Sequence, residues 1–338
     1  MKALVITEPG KIQWRHVEKP VPGPKEVLIE VKAVGICGTD LHILHGKHGA
    51  VTYPRIPGHE MVGKVVGVGK EVNNVGLGDH VAVDPVVSCG KCPMCLRGRH
   101  NICYQVKCLG VQTEGAFTQY VKVNGDKVYS FNPDIPWETA ALVEPFSIAA
   151  QIAERLRISF YDKILIVGGG TIGLALLQVV NRIYGSKAVV ADISHNKLLL
   201  AREMGAQCAI NPQETDVIKR SAEIWNYEGP TVVVEAVGSS KILNSLLEKA
   251  LPGSRIGVIG FMAEPVNILP VEITKKELEI IGSRMNRNKF PEVLTWFKEG
   301  KLEPEKLISH KLRFEEAEQA FALFDDRLDE VCKVIIQF

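Results

Sequence analysis

Four cysteines of this chain fall within fifteen residues, in the stretch "CGKCPMC" and shortly after it. They are Cys89, Cys92, Cys95 and Cys103, spaced C-x2-C-x2-C-x7-C. Four thiolates can close a tetrahedral shell around Zn2+, which leaves no position open for chemistry. Glycines and a proline between them supply tight turns. The spacing predicts a structural zinc site in residues 89–103, the zinc lobe, with free thiols or an iron–sulfur cluster as alternatives.

A second set of candidate ligands lies in separate stretches, "GICGTDLH", "YPRIPGHE" and "LVEPFS". Cys37, His59 and Glu144 would offer one sulfur, one nitrogen and one oxygen. Three protein ligands leave a fourth position for water or substrate, as catalytic zinc requires. The alternative is a buried cysteine beside a hydrogen-bonded histidine, and spacing alone does not decide between the two.

Three glycines form G-x-G-x-x-G between the apolar strand "KILIV" and a helical pattern: Gly168, Gly170 and Gly173. This context predicts a dinucleotide site, with a tight turn, close backbone approach to the pyrophosphate and close helix packing, in that order. Asp192 ends the next strand, and no arginine follows it in "ISHN". Its carboxylate can bind ribose hydroxyls and repel a 2′-phosphate, which favours NAD over NADP. The alternative role for Asp192 is a helix N-cap.

The chain's size and charge set the frame for these sites. A length of 338 residues predicts two domains. Lys and Arg (40) nearly balance Asp and Glu (39), so nucleic acid and anionic membranes are not expected partners. The first apolar run is too short for a signal peptide, and no run is long enough to span a membrane. We therefore expect a cytoplasmic protein, in which thiols stay reduced and clustered cysteines favour metal over disulfides.

The elements that must position these residues fall into two patterns. Short β-branched runs punctuated by Gly and Pro make the first 145 or so residues β-rich. Buried strands then alternate with helices, which predicts an α/β, doubly wound parallel sheet. The tail adds two helices and a terminal strand, "EVCKVIIQF", which we assign to the first domain. The nucleotide domain would then be an insertion.

Together, "GICGTDLH", "GHE", the zinc lobe, "VEPF" and "VGGGTIG" resemble the zinc-dependent medium-chain dehydrogenases in their order along essentially the whole chain. The resemblance implies a β-rich GroES-like catalytic domain in residues 1–148 and 290–338. It implies a Rossmann NAD-binding domain in residues 149–289. Two Zn2+ per chain, one catalytic and one structural, and NAD are the implied cofactors.

By the same resemblance, Cys37 and His59 hold the catalytic zinc, and Glu60 is a neighbouring carboxylate that swings in as a ligand in some states. Glu144 stands where the ethanol-type branch has cysteine. The polyol (sorbitol-type) branch shares this departure, and its carboxylate binds zinc directly or through water. Whether Glu144 touches the metal is open.

A proton relay also maps onto this chain. The resemblance gives Thr39 the hydroxyl that accepts the substrate proton and His42 the imidazole that carries it to the surface. Asp40 would support the zinc ligands. A solvated loop histidine is the alternative for His42, and we interpret His45 and His48 as loop residues.

The implied reaction is NAD-dependent oxidation of a secondary alcohol. The segment from residue 275 to 310 resembles a subgroup that includes L-gulonate and L-galactonate 5-dehydrogenases, so a sugar acid is the expected substrate. Arg284, Asn286 and Lys289 could hold its carboxylate, although a polar hinge loop explains them equally well. The alternatives are a polyol dehydrogenase, an L-threonine 3-dehydrogenase and a non-enzymatic NAD- and zinc-binding sensor. A homodimer or homotetramer is expected, with "GSRIGVIGF" in the region where family members pair their sheets.

Overall fold

The computed structural model describes residues 1–262, 264–326 and 329–338, which form two compact units. The first unit comprises residues 1–144, 286–300 and 308–338, and the second comprises residues 145–285 and 301–307. Residues 301–307 therefore lie outside the segment 290–338 that the sequence assigns wholly to the catalytic domain. The side chain of Gln178 explains this difference, because its amide donates to the Glu303 carbonyl (2.9 Å) and accepts from the Glu303 N–H (2.8 Å).

The strands run in chain order as β1 (Lys2–Glu8), β2 (Lys11–His16), β3 (Glu26–Ile36), β4 (Glu60–Val68), β5 (His80–Val83), β6 (Val86–Val87), β7 (Lys107–Cys108), β8 (Tyr120–Asn124), β9 (Val128–Ser130), β10 (Lys163–Val167), β11 (Lys187–Ala191), β12 (Cys208–Ile210), β13 (Val232–Glu235), β14 (Arg255–Val258), β15 (Glu279–Gly282), β16 (Ile308–Arg313) and β17 (Lys333–Gln337).

The helices are α1 (Gly38–Leu44), α2 (Pro93–Leu96), α3 (Trp137–Ala140), α4 (Val143–Arg155), α5 (Thr171–Gln178), α6 (His195–Glu203), α7 (Val217–Ile224), α8 (Ser240–Lys249), α9 (Pro270–Lys276), α10 (Phe290–Lys298) and α11 (Ala317–Asp326). A π-helical turn, Val179–Ile183, extends α5. Across the three described ranges, no helix combines the length and the apolar character needed to cross a membrane.

The first unit is built on a seven-stranded sheet in the order β16-β17-β3-β4-β5-β9, with β8 also paired to β3. Only β16 and β17 pair in parallel among these strands. The last strand, β17, lies beside β3, so that Val334 faces Ile36. Strands β6 and β7 pair with each other and close the base of the zinc lobe.

The second unit contains a six-stranded parallel sheet in the order β12-β11-β10-β13-β14-β15. Numbered along the chain, these strands run 3-2-1-4-5-6, which is the doubly wound order of dinucleotide-binding folds. The central strands are buried on both faces, and Leu165, Val189 and Val233 join Trp225 in one core cluster. The predicted α/β class with a doubly wound sheet is confirmed.

The edge of this sheet differs from the expectation. The segment "GSRIGVIGF" contains β14, which pairs with β13 on one side and β15 on the other. Its backbone groups are therefore already paired, and β14 cannot join a second sheet. The edge strand is β15, whose backbone has a partner on one side only.

Candidate active site and metal centres

The four cysteines of the zinc lobe converge. Their sulfur atoms lie within 4.8 Å of one another, with separations of 3.6 Å for Cys92–Cys95, 3.9 Å for Cys92–Cys103 and 4.0 Å for Cys89–Cys95. Zinc–sulfur bonds of about 2.3 Å in a tetrahedron place sulfurs about 3.8 Å apart. The cluster therefore has the dimensions of a closed tetrathiolate zinc site.

Backbone N–H groups favour thiolates in this lobe. Cys89 and Gln105 both donate to the Cys103 sulfur at 3.3 Å. Hydrogen bonds from the backbone of Cys95 and Tyr104 lower the pKa of Cys92 to about 6. Because zinc binds the deprotonated sulfur, these donors prepare the lobe for the metal.

A second cluster forms at one end of the first unit's sheet. Ligand atoms of Cys37, His59 and Glu60 lie within 4.8 Å of one another. Cys37 follows the last residue of β3, and Glu60 begins the neighbouring antiparallel β4, opposite Gly35. Both chains therefore leave the sheet at the same end. The incomplete sulfur, nitrogen and oxygen donor set fits a zinc ion that keeps a position for substrate.

Asp40 ties the two ligand loops together. Its side chain is fully buried. One carboxylate oxygen accepts the N–H of Cys37 (2.9 Å), and the other accepts the N–H of Gly58 (3.0 Å), next to His59. The same carboxylate lies 3.7 Å from Nδ1 of His59, a buried nitrogen that has no hydrogen-bond partner. This geometry matches the predicted supporting role of Asp40 behind the ligands.

Electrostatics reinforce this cluster. Burial disfavours the charged form of His59, but attraction to Asp40 and Cys37 outweighs it and raises the pKa of His59 well above its usual value. Glu144 lies in the first turn of α4 and outside the three-residue cluster among the described residues. Burial raises the pKa of Glu144 to about 7, while His59 opposes and Glu60 reinforces that rise. Glu144 is thus within electrostatic range of the site.

The predicted relay residues share one helix. Thr39 and His42 are three positions apart on α1, so their side chains lie on neighbouring parts of the same face. Desolvation and the nearby His48, Lys47 and His45 lower the pKa of His42. His42 is consequently held toward its neutral, proton-accepting form.

One residue beside the cluster was missed in the sequence. Lys333 begins β17, is 2% exposed, and forms a buried ion pair with Glu60 at 2.7 Å. The available signal was a lysine at the start of the otherwise apolar run "VIIQF". A charged side chain in such a strand requires a buried partner.

The glycine turn of the second unit joins β10 to α5. Gly168 has φ +113°. A Cβ on Gly173 would lie 1.8 Å from the Gly168 carbonyl oxygen, whereas a Cβ on Gly170 would have open space around it. Gly173 thus allows close packing, and the space beside Gly170, the N-cap of α5, leaves the helix N-terminus open to a phosphate.

Asp192 follows β11 and does not cap the next helix. Ser194 is the N-cap of α6, where its hydroxyl accepts from the Lys197 N–H. The Asp192 carboxylate instead contacts the glycine turn through the Gly169 N–H (2.7 Å). The helix-capping alternative for Asp192 is therefore wrong.

The tentative substrate residues separate in the structure. Arg284 is exposed in the second unit, and Asn286 is fully buried in the first. The Asn286 amide donates to Asp84 (3.1 Å) and accepts from the Lys289 N–H (3.3 Å). Lys289 itself pairs with Glu292. Since both ends of its amide are engaged inside the protein, Asn286 is a structural residue, contrary to the expectation.

Family models match both parts of the chain. Residues 23–133 match the alcohol dehydrogenase GroES-like domain, and residues 171–299 match the zinc-binding dehydrogenase domain. These matches cover the strands that carry the Cys37–His59–Glu60 cluster and most of the doubly wound sheet.

Relatives match over nearly the full length. The starvation-sensing protein RspB of Escherichia coli K12 is 38% identical over 100% of this chain and 99% of its own. The L-threonine 3-dehydrogenase of Pyrococcus horikoshii is 35% identical (96% and 95% covered), and the L-galactonate-5-dehydrogenase of E. coli K12 is 31% identical (93% and 92%).

A crystal structure of rspB from E. coli CFT073, complexed with NADH, superposes with a TM-score of 0.95 at 37% identity and covers 100% of this chain and 99% of its own. The two domain matches, the full-length relatives and the two thiol-containing clusters agree with one another. The chain therefore belongs to the zinc-binding alcohol dehydrogenase family, and it is an NAD-dependent, zinc-containing dehydrogenase.

Proposed function

We propose that this dehydrogenase oxidises a secondary alcohol of a sugar acid of the L-gulonate or L-galactonate kind to the corresponding keto acid. The first unit would act as the catalytic domain and the second as the NAD domain. The observation that carries the dehydrogenase chemistry is the convergence of Cys37, His59 and Glu60 into one buried donor set.

Cys37 and His59 would hold the catalytic ion, with Glu60 and Glu144 as the neighbouring carboxylates. When bound, zinc supplies Lewis acidity, which polarises the substrate oxygen and lowers its pKa. Cys89, Cys92, Cys95 and Cys103 would hold the structural ion. Asp40 keeps Cys37 and His59 in register through its two backbone hydrogen bonds.

The chain's own residues handle the proton. Thr39 accepts it from the substrate hydroxyl, and His42 receives it from the Thr39 side of α1 and releases it to solvent. His42 suits this role because it is exposed and its lowered pKa keeps it neutral. A non-enzymatic sensor would need no such pair.

The second unit binds the cofactor. Gly168, Gly170 and Gly173 receive the pyrophosphate at the N-terminus of α5, and Asp192 binds the adenosine ribose. NAD supplies the hydride acceptor. The carboxylate of Asp192, with no arginine in the four residues after it, favours NAD over NADP.

The sugar acid is supported by Arg284, whose exposed guanidinium can bind a carboxylate bidentately. The 31% identical L-galactonate-5-dehydrogenase adds support. A polyol is the second candidate, favoured by Glu144 at the third ligand position. L-Threonine is the third, in line with the 35% identical relative. The relative named for starvation sensing keeps a sensor as the non-enzymatic alternative.

A substrate panel separates these candidates. L-Gulonate, L-galactonate, sorbitol and L-threonine are each offered with NAD, and NADH formation is followed by absorbance. We expect the highest kcat/KM with an aldonate, and Arg284→Met should raise the aldonate KM with little effect on sorbitol. A higher kcat/KM with sorbitol would contradict the carboxylate site, and no turnover with any substrate would favour the sensor.

The proposal extends to assembly and location. A homodimer or homotetramer would pair the β15 edges of two sheets, because an open edge offers unpaired backbone groups. Phe261, Leu269 and Val271 are exposed apolar side chains of the same unit and would add buried area. The free thiols favour a reducing compartment such as the cytoplasm. Sedimentation velocity measures the oligomeric state.

A further inference from the structure

Lys333 is a fully buried lysine whose ammonium group has three acceptors. It donates to both carboxylate oxygens of Glu60, at 2.7 and 2.8 Å, and to the Ile36 carbonyl at 3.0 Å. Lys333 is 2% exposed and Glu60 is 1% exposed. Burial disfavours the ammonium, but attraction to Glu60 outweighs it and raises the pKa of Lys333. The pair is therefore a charged one.

Three neighbouring strands create this pair. β17 and β4 flank β3, with Val334 opposite Ile36 and Glu60 opposite Gly35. A Cβ on Gly35 would lie 2.0 Å from a Glu60 carboxylate oxygen. The missing side chain on β3 thus leaves the gap through which Glu60 reaches Lys333 from the next strand but one.

The same carboxylate borders the metal ligands. An oxygen of Glu60 lies within 4.8 Å of the ligand atoms of Cys37 and His59. A buried carboxylate requires a cationic or hydrogen-bonding partner. Two cations compete for this one: the fixed ammonium on one side and the ion held by Cys37 and His59 on the other.

We propose that Lys333 is a positioning residue that holds Glu60 in the ion pair and out of the ligand set, so that the substrate position stays open. The inference rests on the proposed function in one respect, namely that Cys37 and His59 hold the catalytic ion. It assigns the final strand of the chain a role in setting that ion's coordination number.

The test uses the full-length protein loaded with Co2+, whose absorption reports ligand number. The catalytic-site spectrum is the difference between a protein and its Cys37→Ser variant, which removes the contribution of the zinc lobe. In Lys333→Met we expect Glu60 to join the ligands. The visible bands should weaken, as they do when cobalt gains a ligand, and loss of cobalt to a chelator should slow about 10-fold.

Matched variants isolate the cause. Lys311→Met breaks the 2.7 Å ion pair with Glu138 in the same unit and should leave the spectrum unchanged. Glu60→Gln combined with Lys333→Met should restore the wild-type spectrum, because the competing ligand is gone. Lys333→Gln, which keeps a donor without the charge, serves if the methionine variant does not fold.

An unchanged spectrum and unchanged cobalt loss in Lys333→Met or Lys333→Gln would overturn the inference while leaving the metal site in place. A wild-type spectrum that does not respond to Cys37→Ser would instead overturn the proposed metal site, and the inference with it. Weakened bands that persist after Glu60→Gln would also overturn it, since Glu60 would then not be the added ligand.

Discussion

The Asp192 carboxylate accepts the backbone N–H of Gly169 at 2.7 Å and so joins the end of β11 to the glycine turn after β10. Its other oxygen accepts the N–H of Ser194 at 2.8 Å. Two backbone donors therefore fix one carboxylate at the carboxyl end of the sheet, where dinucleotides bind in this fold. Asp192 orients the turn as well as offering a ribose acceptor.

Replacing this carboxylate should change the cofactor preference. In Asp192→Ser we expect the KM for NAD to rise about 10- to 100-fold, the equivalent of one charge-assisted hydrogen bond of about 1.5–3 kcal/mol. NADP should become a competing cofactor, because the repulsion of its 2′-phosphate is removed. Initial rates with both cofactors measure this. Asp134→Ser, which alters an exposed carboxylate of the first unit, should change neither, and an unchanged preference in Asp192→Ser would refute the assignment.

The two metal sites should fail differently when one ligand is lost. In Cys37→Ser we expect turnover to fall about a thousandfold, the equivalent of about 4 kcal/mol of transition-state stabilisation. NAD affinity, measured by quenching of tryptophan fluorescence, should stay near the wild-type value because the glycine turn is untouched. Metal analysis should show loss of one zinc per chain.

Loss of a zinc-lobe ligand should instead lower stability. Cys92→Ser leaves an incomplete shell, and a loss of about 2 kcal/mol would lower the unfolding midpoint by about 4–8 °C in a domain of this size. Calorimetry measures the midpoint, and Cys208→Ser in the second unit is the control. If Cys92→Ser and Cys37→Ser showed the same defect, the division into structural and catalytic sites would be wrong.

The acid limb of the pH–rate profile should follow His42. Neighbouring cationic groups lower the pKa of His42, with Lys47 among them after desolvation and His48. Lys47→Gln removes one positive charge, so the protonated form of His42 becomes easier to populate and its pKa rises. We expect the acid limb of kcat to move to higher pH. Lys70→Gln, an exposed lysine of the same unit, should leave it in place, and a shift to lower pH in Lys47→Gln would contradict the relay.

Asp40 should govern metal retention without touching the metal. Asp40→Asn keeps the shape but replaces one acceptor oxygen by a donor, which faces the N–H of either Cys37 or Gly58. We expect zinc affinity to fall about 10- to 100-fold. Competition with a chromogenic chelator measures this, and Asp79→Asn at the first unit's surface is the control.

Local patterns predicted much of this molecule. The zinc lobe and the glycine turn are short motifs, whose geometry follows from turn residues and the strand–helix context. The alternation of strands and helices likewise predicted the doubly wound sheet. Each of these features depends on neighbours within about 30 residues, so the sequence contains the signal directly.

Contacts between distant segments were not predictable in the same way. Lys333 and Glu60 are 273 positions apart, and only the placement of β17 beside β3 brings them together. Asn286 looked like a ligand residue because polarity does not reveal burial, and its amide is in fact used by Asp84. The strand β14 looked like a sheet edge because chain order does not give the position of β15.

The interior position of β17 has a consequence for biosynthesis. A ribosome releases the first 144 residues long before the strand that must lie beside β3, so the nascent first unit lacks the neighbour of its longest strand until synthesis ends. The parallel sheet of the second unit is complete once residue 282 has emerged. The nucleotide fold is therefore able to form on the emerging chain, whereas the Lys333 ion pair can close only after termination of translation.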